Sequence, residues 1–354
     1  MAIFDSTVIA FVSYLSIGVM SLTLVVAVLT LYLRLRLISG ERQRRRFNEK
    51  WLPIMEKGMY ELPKAVPTLK RSELVYFLWL WNSLQERLKG EVKENLNVVA
   101  RMAKVDAMLE GLLWSNSVNS RLLAMNTAGH LQALTVWGEL KNFVQTSENP
   151  VVALTAVRSL IRIDSKAAAA VFIPLIGIHK EWPPTQVAGR LKEVKPDAAS
   201  AYLEGIILAA SNEELPRLIR YLRFASVRTA IFVVEGLLAK ADNEEVIAAC
   251  LSVIGEVDSG QSLHLLRRYA DHPKWVIKVQ VANGLSKQGT QEDVALLLNF
   301  LGDREWWVRY RAAHALGSLP FMTLAQLEEL KRGLEDSYAI DALMQVIEEK
   351  RMAV

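Results

Sequence analysis

A single cysteine, Cys250, stands in 354 residues. That excludes an internal disulfide framework and fits a reducing compartment. Set in the apolar run VIAACLSVI, it reads as a small core residue with an inert thiol. The chain has no Gly-rich phosphate loop, no G-x-S-x-G elbow, no H-E-x-x-H and no C-x-x-C. The five histidines, His130, His179, His264, His272 and His314, are scattered, and His264 and His272 lie eight apart across an expected helix end, which is not metal-ligand spacing. No metal site, no cofactor and no catalytic residue is therefore expected. Strand signals are also almost absent, so the patterns that remain are helical.

Charge is missing from one long stretch. Between Ser6 and Leu33 no residue is charged, and Leu22–Leu33 reads LTLVVAVLTLYL. At 1.5 Å per residue, 28 residues reach about 42 Å, enough to cross a hydrocarbon core of about 30 Å with tilt. A cleaved signal peptide fits poorly, because only Asp5 precedes the run with charge and the run is too long. Gly18 has no glycine four residues away, so the small-residue signal for span dimerisation is absent.

The C-terminal flank of the run sets its expected orientation. Arg34, Arg36, Arg42, Arg44, Arg45, Arg46 and Lys50 stand against only Glu41 and Glu49. Positive flanks stay on the cytoplasmic side, so the chain is expected to be single-pass in the inner (plasma) membrane, N-terminus outside, with everything after Arg34 in the cytoplasm. Residues 51–354 balance to no net charge, although the whole chain carries +4. The basicity thus belongs to the juxtamembrane segment, and no nucleic-acid partner is expected. Arg42, Arg44, Arg45 and Arg46 are the candidates for contact with anionic lipid headgroups, at about 1 kcal/mol per basic residue near the surface.

Three regions are expected: a transmembrane anchor over 1–33, a basic juxtamembrane segment and connector over 34–70, and a helical array over 71–354. Pro53, Gly58, Pro63 and Pro67 mark the connector, which is read as holding at most one or two helical turns. Beyond it, Leu74, Phe77, Leu78 and Trp81 open an amphipathic helix expected to cover the first apolar face of the array. Asn95–Leu113 carries one continuous 3.6-residue stripe, Lys180–Thr185 (KEWPPT) interrupts the middle, and two helices with charged outer faces close the tail over Leu324–Lys350.

The strongest pattern is a recurrence. Asp303–Gly317, DREWWVRYRAAHALG, aligns after a step of 31 with His272–Ser286, HPKWVIKVQVANGLS, so that Trp306 falls on Trp275, Arg309 on Lys278 and Ala313 on Ala282. A further step reaches Glu244–Gly255. A helical period of this length means stacked helix pairs, a solenoid that works by presenting surface. Val308, Ala312, Ala315, Leu316 and Leu319 form the apolar stripe, with alanines small enough for close helix approach. Asp303 is expected to accept backbone donors at the next helix start, Gly317 to end its helix in a left-handed conformation, and Lys278 and Arg309 to form a ladder with acidic residues between units.

The pattern L-x-D-x(4)-V-R-x-x-A-A-x-A-L-G, met at Leu301–Gly317, resembles the short bacterial HEAT repeat, also called the phycobilisome-lyase HEAT-like repeat. It is looser at Trp275–Ser286 and loosest at Asn149–Ile163 and Glu244–Gly255. The resemblance implies an all-α fold, an α-solenoid of helix pairs whose second helices line a concave face. It implies no reaction, since such folds serve adaptors, lyases and DNA glycosylase-like proteins alike.

Beside the stacking positions stand the candidate partner-binding residues. Arg311, His314 and Ser318 share the face opposite the Val308–Leu316 stripe, and Gln280, Asn283 and Lys287 take the same phase one repeat earlier. Trp306, with Trp307 and Trp275, sits where a helix begins, either packing between repeats or anchoring an interface. The function expected is a non-enzymatic, membrane-tethered cytoplasmic adaptor or scaffold holding a membrane-associated protein partner. Analogy with bacterial membrane proteins bearing HEAT repeats points to an envelope-polysaccharide or secretion complex. The alternatives are a lyase of the bilin-lyase HEAT class and a nucleic-acid-binding solenoid.

Overall fold

The computed structural model describes residues 2–257 and 260–352, with side chains described at all of these except 2–10, 12, 13, 36–40 and 261. The first third of the expected anchor and Arg36 of the basic run therefore lie outside the described side chains. Every regular element among the described residues is helical, and the chain divides into two compact units, Met1–Leu131 and Gln132–Val354.

Unit 1 begins with one helix, α1 (Ala2–Tyr60), 59 residues long. Here the expected connector is corrected. Pro53 lies inside α1 with its ring on an exposed face, where the carbonyl it leaves without a donor turns to water. Gly58 is a contact residue: a Cβ there would stand 2.7 Å from Val99 Cγ2. The helix runs on because its far end has a core to bury. Phe47, Trp51 and Met55 are almost wholly buried, and Trp51 meets the Phe77 ring edge-on at 5.0 Å.

The rest of unit 1 is α2 (Arg71–Gln85), α3 (Glu91–Met102), α4 (Asp106–Leu113) and α5 (Val118–Leu131). The second half of α1, not α2, covers the end of this core. Phe77, Leu78 and Trp81 of α2 are themselves fully buried. The stripe expected as one helix over Asn95–Leu113 is broken at Lys104, whose φ of 59° is left-handed. Periodicity persists across that break because α3 and α4 face the same core. Buried amides tie the layers: Asn82 Nδ2 donates to Thr127 Oγ1 at 3.0 Å, and Gln85 Nε2 to Asn97 Oδ1 at 3.0 Å. Trp81 Nε1 donates to the Leu96 carbonyl at 3.1 Å.

Unit 2 opens with a short 3₁₀ turn over Leu134–Val136 and continues as α6 (Trp137–Thr146), α7 (Pro150–Ile163), α8 (Ser165–Ile178), α9 (Pro184–Glu193) and α10 (Pro196–Leu208). Then come α11 (Leu215–Ile219) with a 3₁₀ extension over Arg220–Phe224, α12 (Val227–Leu238), α13 (Glu244–Glu256) and α14 (Leu263–Arg268). The chain closes with α15 (Trp275–Gln288), α16 (Asp293–Leu301), α17 (Trp306–Ser318), α18 (Leu324–Arg332) and α19 (Ser337–Met352). The helices α6/α7, α10/α11, α12/α13, α14/α15, α16/α17 and α18/α19 pack as pairs, α9 joins the row of second helices through α7 and the 3₁₀ extension, and unit 2 is an α-solenoid. The helices α13, α15, α17 and α19 start at Glu244, Trp275, Trp306 and Ser337, each 31 residues after the last. A second series, α8, α10 and α12, starts at Ser165, Pro196 and Val227 with the same spacing.

Starts are fixed by caps: Asn149, Asp164, Asn243 and Thr323 each accept the backbone N–H of a residue in the first turn. The closeness of the row comes from missing side chains. A Cβ on Gly255 of α13 would lie 2.7 Å from the Gly284 Cα of α15. Gly317 is likewise a packing residue inside α17, where a Cβ would collide with Val346 Cγ1, and not the left-handed terminus expected of it. Asp303 accepts the Glu305 N–H at 2.9 Å and the Lys278 ammonium at 2.7 Å, which gives one rung of the expected ladder. Arg309 makes no second rung. The position 31 residues after Asp303 is Leu334, so Arg309 turns to the carbonyls of Asp303 and Arg304 and lies over the Tyr338 ring at 5.1 Å.

Candidate protein-binding groove

The second-helix row has an outward side that the stacking does not use. On α15, Ile277, Val281, Ala282, Gly284 and Leu285 are buried, which leaves Gln280, Asn283 and Lys287 on the free side. On α17, Val308, Ala312, Ala313, Ala315 and Leu316 are buried, Arg311 is exposed and His314 is half-buried. The facing glycines bring α13 and α15 so close that the free side is a trough with polar walls. A cavity of about 320 Å³ lies there, lined by Ser252, Glu256, Gln280, Asn283, Lys287 and Arg311 among others. Four of the six partner-binding candidates are thus brought together.

Two are not. His314 lies against Tyr310 with the rings tilted and their centroids 4.4 Å apart, and its Nε2 stands 3.7 Å from Glu349 Oε2 on α19. Trp306 sits at the start of α17, stacked on Tyr310 at 5.1 Å and edge-on to Trp307 at 4.6 Å. This aromatic cluster adjoins the cavity through Arg311, whose guanidinium lies 5.6 Å over the Tyr310 ring. Trp306 and Trp307 remain about half exposed, at 52% and 48%, so packing between repeats does not consume them.

Sequence reasoning missed a second cavity on the same row. Where α9 and α11 part, a space of about 480 Å³ opens, lined by Pro184, Thr185 and Ala188 on one side and Pro216, Arg217, Arg220, Tyr221, Arg223 and Phe224 on the other, with Glu213 and Glu245. The signal was present as RLIRYLRF, with arginines three apart. In the 3₁₀ turn that spacing places Arg220 and Arg223 on one side. It is also the spacing of an ordinary solvated helix face, which is why it carried no weight. Burial raises the Tyr221 phenol above its ordinary range, against the pull of the neighbouring arginines, so it stays neutral at physiological pH.

The two cavities share a wall. Arg223 lines the first and Glu256 the second, and the two pair at 2.7 Å. Behind the row, Arg267 makes a bidentate pair with Asp293 at 2.7 and 3.0 Å. Burial pushes the Asp293 carboxyl up, but Arg267 and the Thr290 backbone outweigh it and hold the group below the usual range. Asp303 behaves alike: burial opposes, and Lys278 with the Glu305 N–H prevails. These pairs join neighbouring helices of the stack. The Cys250 thiol is buried and pushed up to about 12 by desolvation. Among the described residues no three of His, Cys, Asp and Glu converge as metal ligands.

Residues 233–317 match the family model for HEAT repeats. The match runs from within α12 to the end of α17 and so contains the smaller cavity. No curated protein matches the chain. A solved structure described as an engineered protein is similar at 16% identity over 83% of this chain and 88% of its own, with a TM-score of 0.31. HEAT repeats generally mediate protein–protein interactions, and the repeat solenoid is a scaffold or adaptor fold.

In unit 1, Tyr14–Leu35 is apolar and its described side chains are exposed, 22 residues that rise about 33 Å. Its threonines hide their hydroxyls, with Thr23 and Thr30 each donating at 2.7 Å to the carbonyl four residues back. Past it, Arg42, Arg44, Arg45 and Arg46 are exposed. At about 100° per residue they ring the helix instead of forming one stripe. Arg44 lies 4.6 Å over the half-exposed Trp79 ring, so one of the four is already engaged within unit 1.

Proposed function

We propose that the chain is a membrane-tethered scaffold that acts by binding and not by catalysis. The first part of α1 spans the bilayer, unit 1 is held at the cytoplasmic surface, and the second-helix row of unit 2 receives a protein partner. The observation that carries this reading is the division of labour along α1. Its residues 14–35 are apolar and exposed, while Phe47, Trp51 and Met55 on the same helix are core. A bilayer is the covering that such a length of apolar, internally hydrogen-bonded helix fits. The ring of arginines past the span is in place to meet anionic headgroups and to hold that end inside. Because α1 continues unbroken into the core, the tether is a rod. Leu35 to Phe47 is about 18 Å of helix, which sets unit 1 at a fixed height.

Concentrating a partner at a surface lets a modest groove suffice. The class of partner that analogy favours is a membrane complex for envelope polysaccharide or secretion. Fractionation tests the tether: the full chain should stay with membranes through alkaline carbonate, and the chain lacking residues 1–35 should not. A C-terminal fluorescent reporter should light the cytoplasm. Carbonate-soluble full-length protein would end the reading.

A further inference from the structure

We infer that the groove on the second-helix row binds an acidic, extended segment of a partner protein, with one apolar side chain seated between Tyr221, Phe224 and Pro184. The inference rests on the scaffold reading and adds the chemistry of the ligand. Three observations carry it.

First, the groove's cations are unequally spent. Arg223 is paired with Glu256, and Arg217 donates to the Ile176 carbonyl at 3.2 Å. Arg220, Lys287 and Arg311 have no carboxylate within 4.0 Å among the described residues. Counting every charged residue that lines the two cavities, five are basic and three are acidic (Glu213, Glu245 and Glu256). That surplus stands on a body whose residues 51–354, the groove included, balance to no net charge.

Second, the half-buried side-chain amides of Gln280 and Asn283 make no hydrogen bond among the described residues. A peptide backbone offers the alternating donors and acceptors that two amides side by side can take. Third, the larger cavity has an apolar wall where the smaller has none, so a ligand that fills both carries carboxylates and an apolar anchor together. A phosphodiester chain fits less well. It would bring its evenly spaced charges past Glu213 and Glu245, whereas a peptide can place neutral residues there.

The test uses the full chain in nanodiscs of neutral phosphatidylcholine. A random 12-residue peptide display library is selected against it, and the recovered peptides are titrated by fluorescence anisotropy. Asp- and Glu-rich peptides with an aromatic or aliphatic residue should be enriched. Their affinity should fall about tenfold or more in Lys287→Glu/Arg311→Glu, and also in Arg220→Glu, because reversed charges repel the ligand. It should stay unchanged in Lys166→Glu/Lys240→Glu, which alters charge away from both cavities. A 12-nucleotide poly-dT and phosphatidylserine vesicles are titrated alongside.

Enrichment without acidic bias, indifference to the groove variants, or tighter groove-dependent binding of the oligonucleotide or vesicles would each overturn the inference. Cross-linking of the full chain in native membranes separates it from the scaffold reading. Protein adducts that survive Lys287→Glu/Arg311→Glu sink the acidic-ligand proposal and leave the scaffold standing. Absence of protein adducts from the wild type sinks the scaffold itself.

Discussion

Unit 1 and unit 2 are both helical, yet the interior of each is held by different means. In unit 1 the contacts are large and individual: Trp51 against Phe77, Trp81 tied to the Leu96 carbonyl, and amide pairs that occur once. In unit 2 the contacts are small and repeated. Alanines and glycines bring α13, α15 and α17 together at one spacing, and polar side chains are left over on the free side. Unit 1 has the character of a fixed mount for one long helix. Unit 2 has that of a surface whose variable positions can change while its stacking stays.

That contrast is open to attack. The largest effect should come from Trp51→Ala, which removes the centre of unit 1's aromatic core and should cost about 3–5 kcal/mol in chemical unfolding. A loss under about 1 kcal/mol would mean that α1 is not part of that core. Next comes Gly255→Ala, since the new methyl would stand 2.7 Å from backbone on α15 and nothing flexible is there to yield. About 1–3 kcal/mol should be lost by overpacking. Gly138→Ala, with nothing within 4 Å, should by contrast be neutral or slightly stabilising. If the two glycines respond alike, the account of row packing is wrong.

Smaller still is Asn82→Ala. It deprives the Thr127 hydroxyl of one partner while the Leu123 carbonyl remains as its acceptor, so about 1 kcal/mol should go, confined to the unfolding of unit 1. The smallest effect is on acid sensitivity. Asp293 and Asp303 are held below 3.8 in the folded state, so their contribution is complete above that pH and fades as the pH falls through their lowered values. Asp293→Asn should therefore lower the stability of unit 2 at neutral pH and flatten its decline below pH 4. An unaltered acid limb would show that the Arg267 pair contributes nothing.

Much of unit 2 was legible in its sequence because its consensus is a packing requirement. Trp275 and Trp306 open α15 and α17 as their recurrence demands, and Asp303 binds the donors it was placed to meet. The series Ser165, Pro196, Val227 went unread, since those first helices share a spacing but no residue pattern. Unit 1 was read less well for a physical reason. Pro53 and Gly58 look like a linker in one dimension, but one faces solvent and the other makes a contact with Val99 that only glycine permits. Of the groove, Gln280, Asn283, Lys287 and Arg311 could be found by phase, while Arg217, Arg220 and Arg223 could not. Their spacing is that of a solvated face, and only the parting of α9 from α11 makes it a wall.

In the proposed function one helix is both bilayer span and core element, with the groove on the cytoplasmic side. Cys250 makes a direct measurement possible, because its buried thiol, pushed up to about 12, leaves the wild type nearly silent to maleimides. Single variants Thr7→Cys, Leu24→Cys and Asn283→Cys would be treated with a membrane-impermeant maleimide on intact cells, and again after permeabilisation. Thr7→Cys should be labelled on intact cells, Asn283→Cys only after permeabilisation, and Leu24→Cys in neither case. Labelling of Asn283→Cys from outside, or free labelling of Leu24→Cys, would contradict the proposed function.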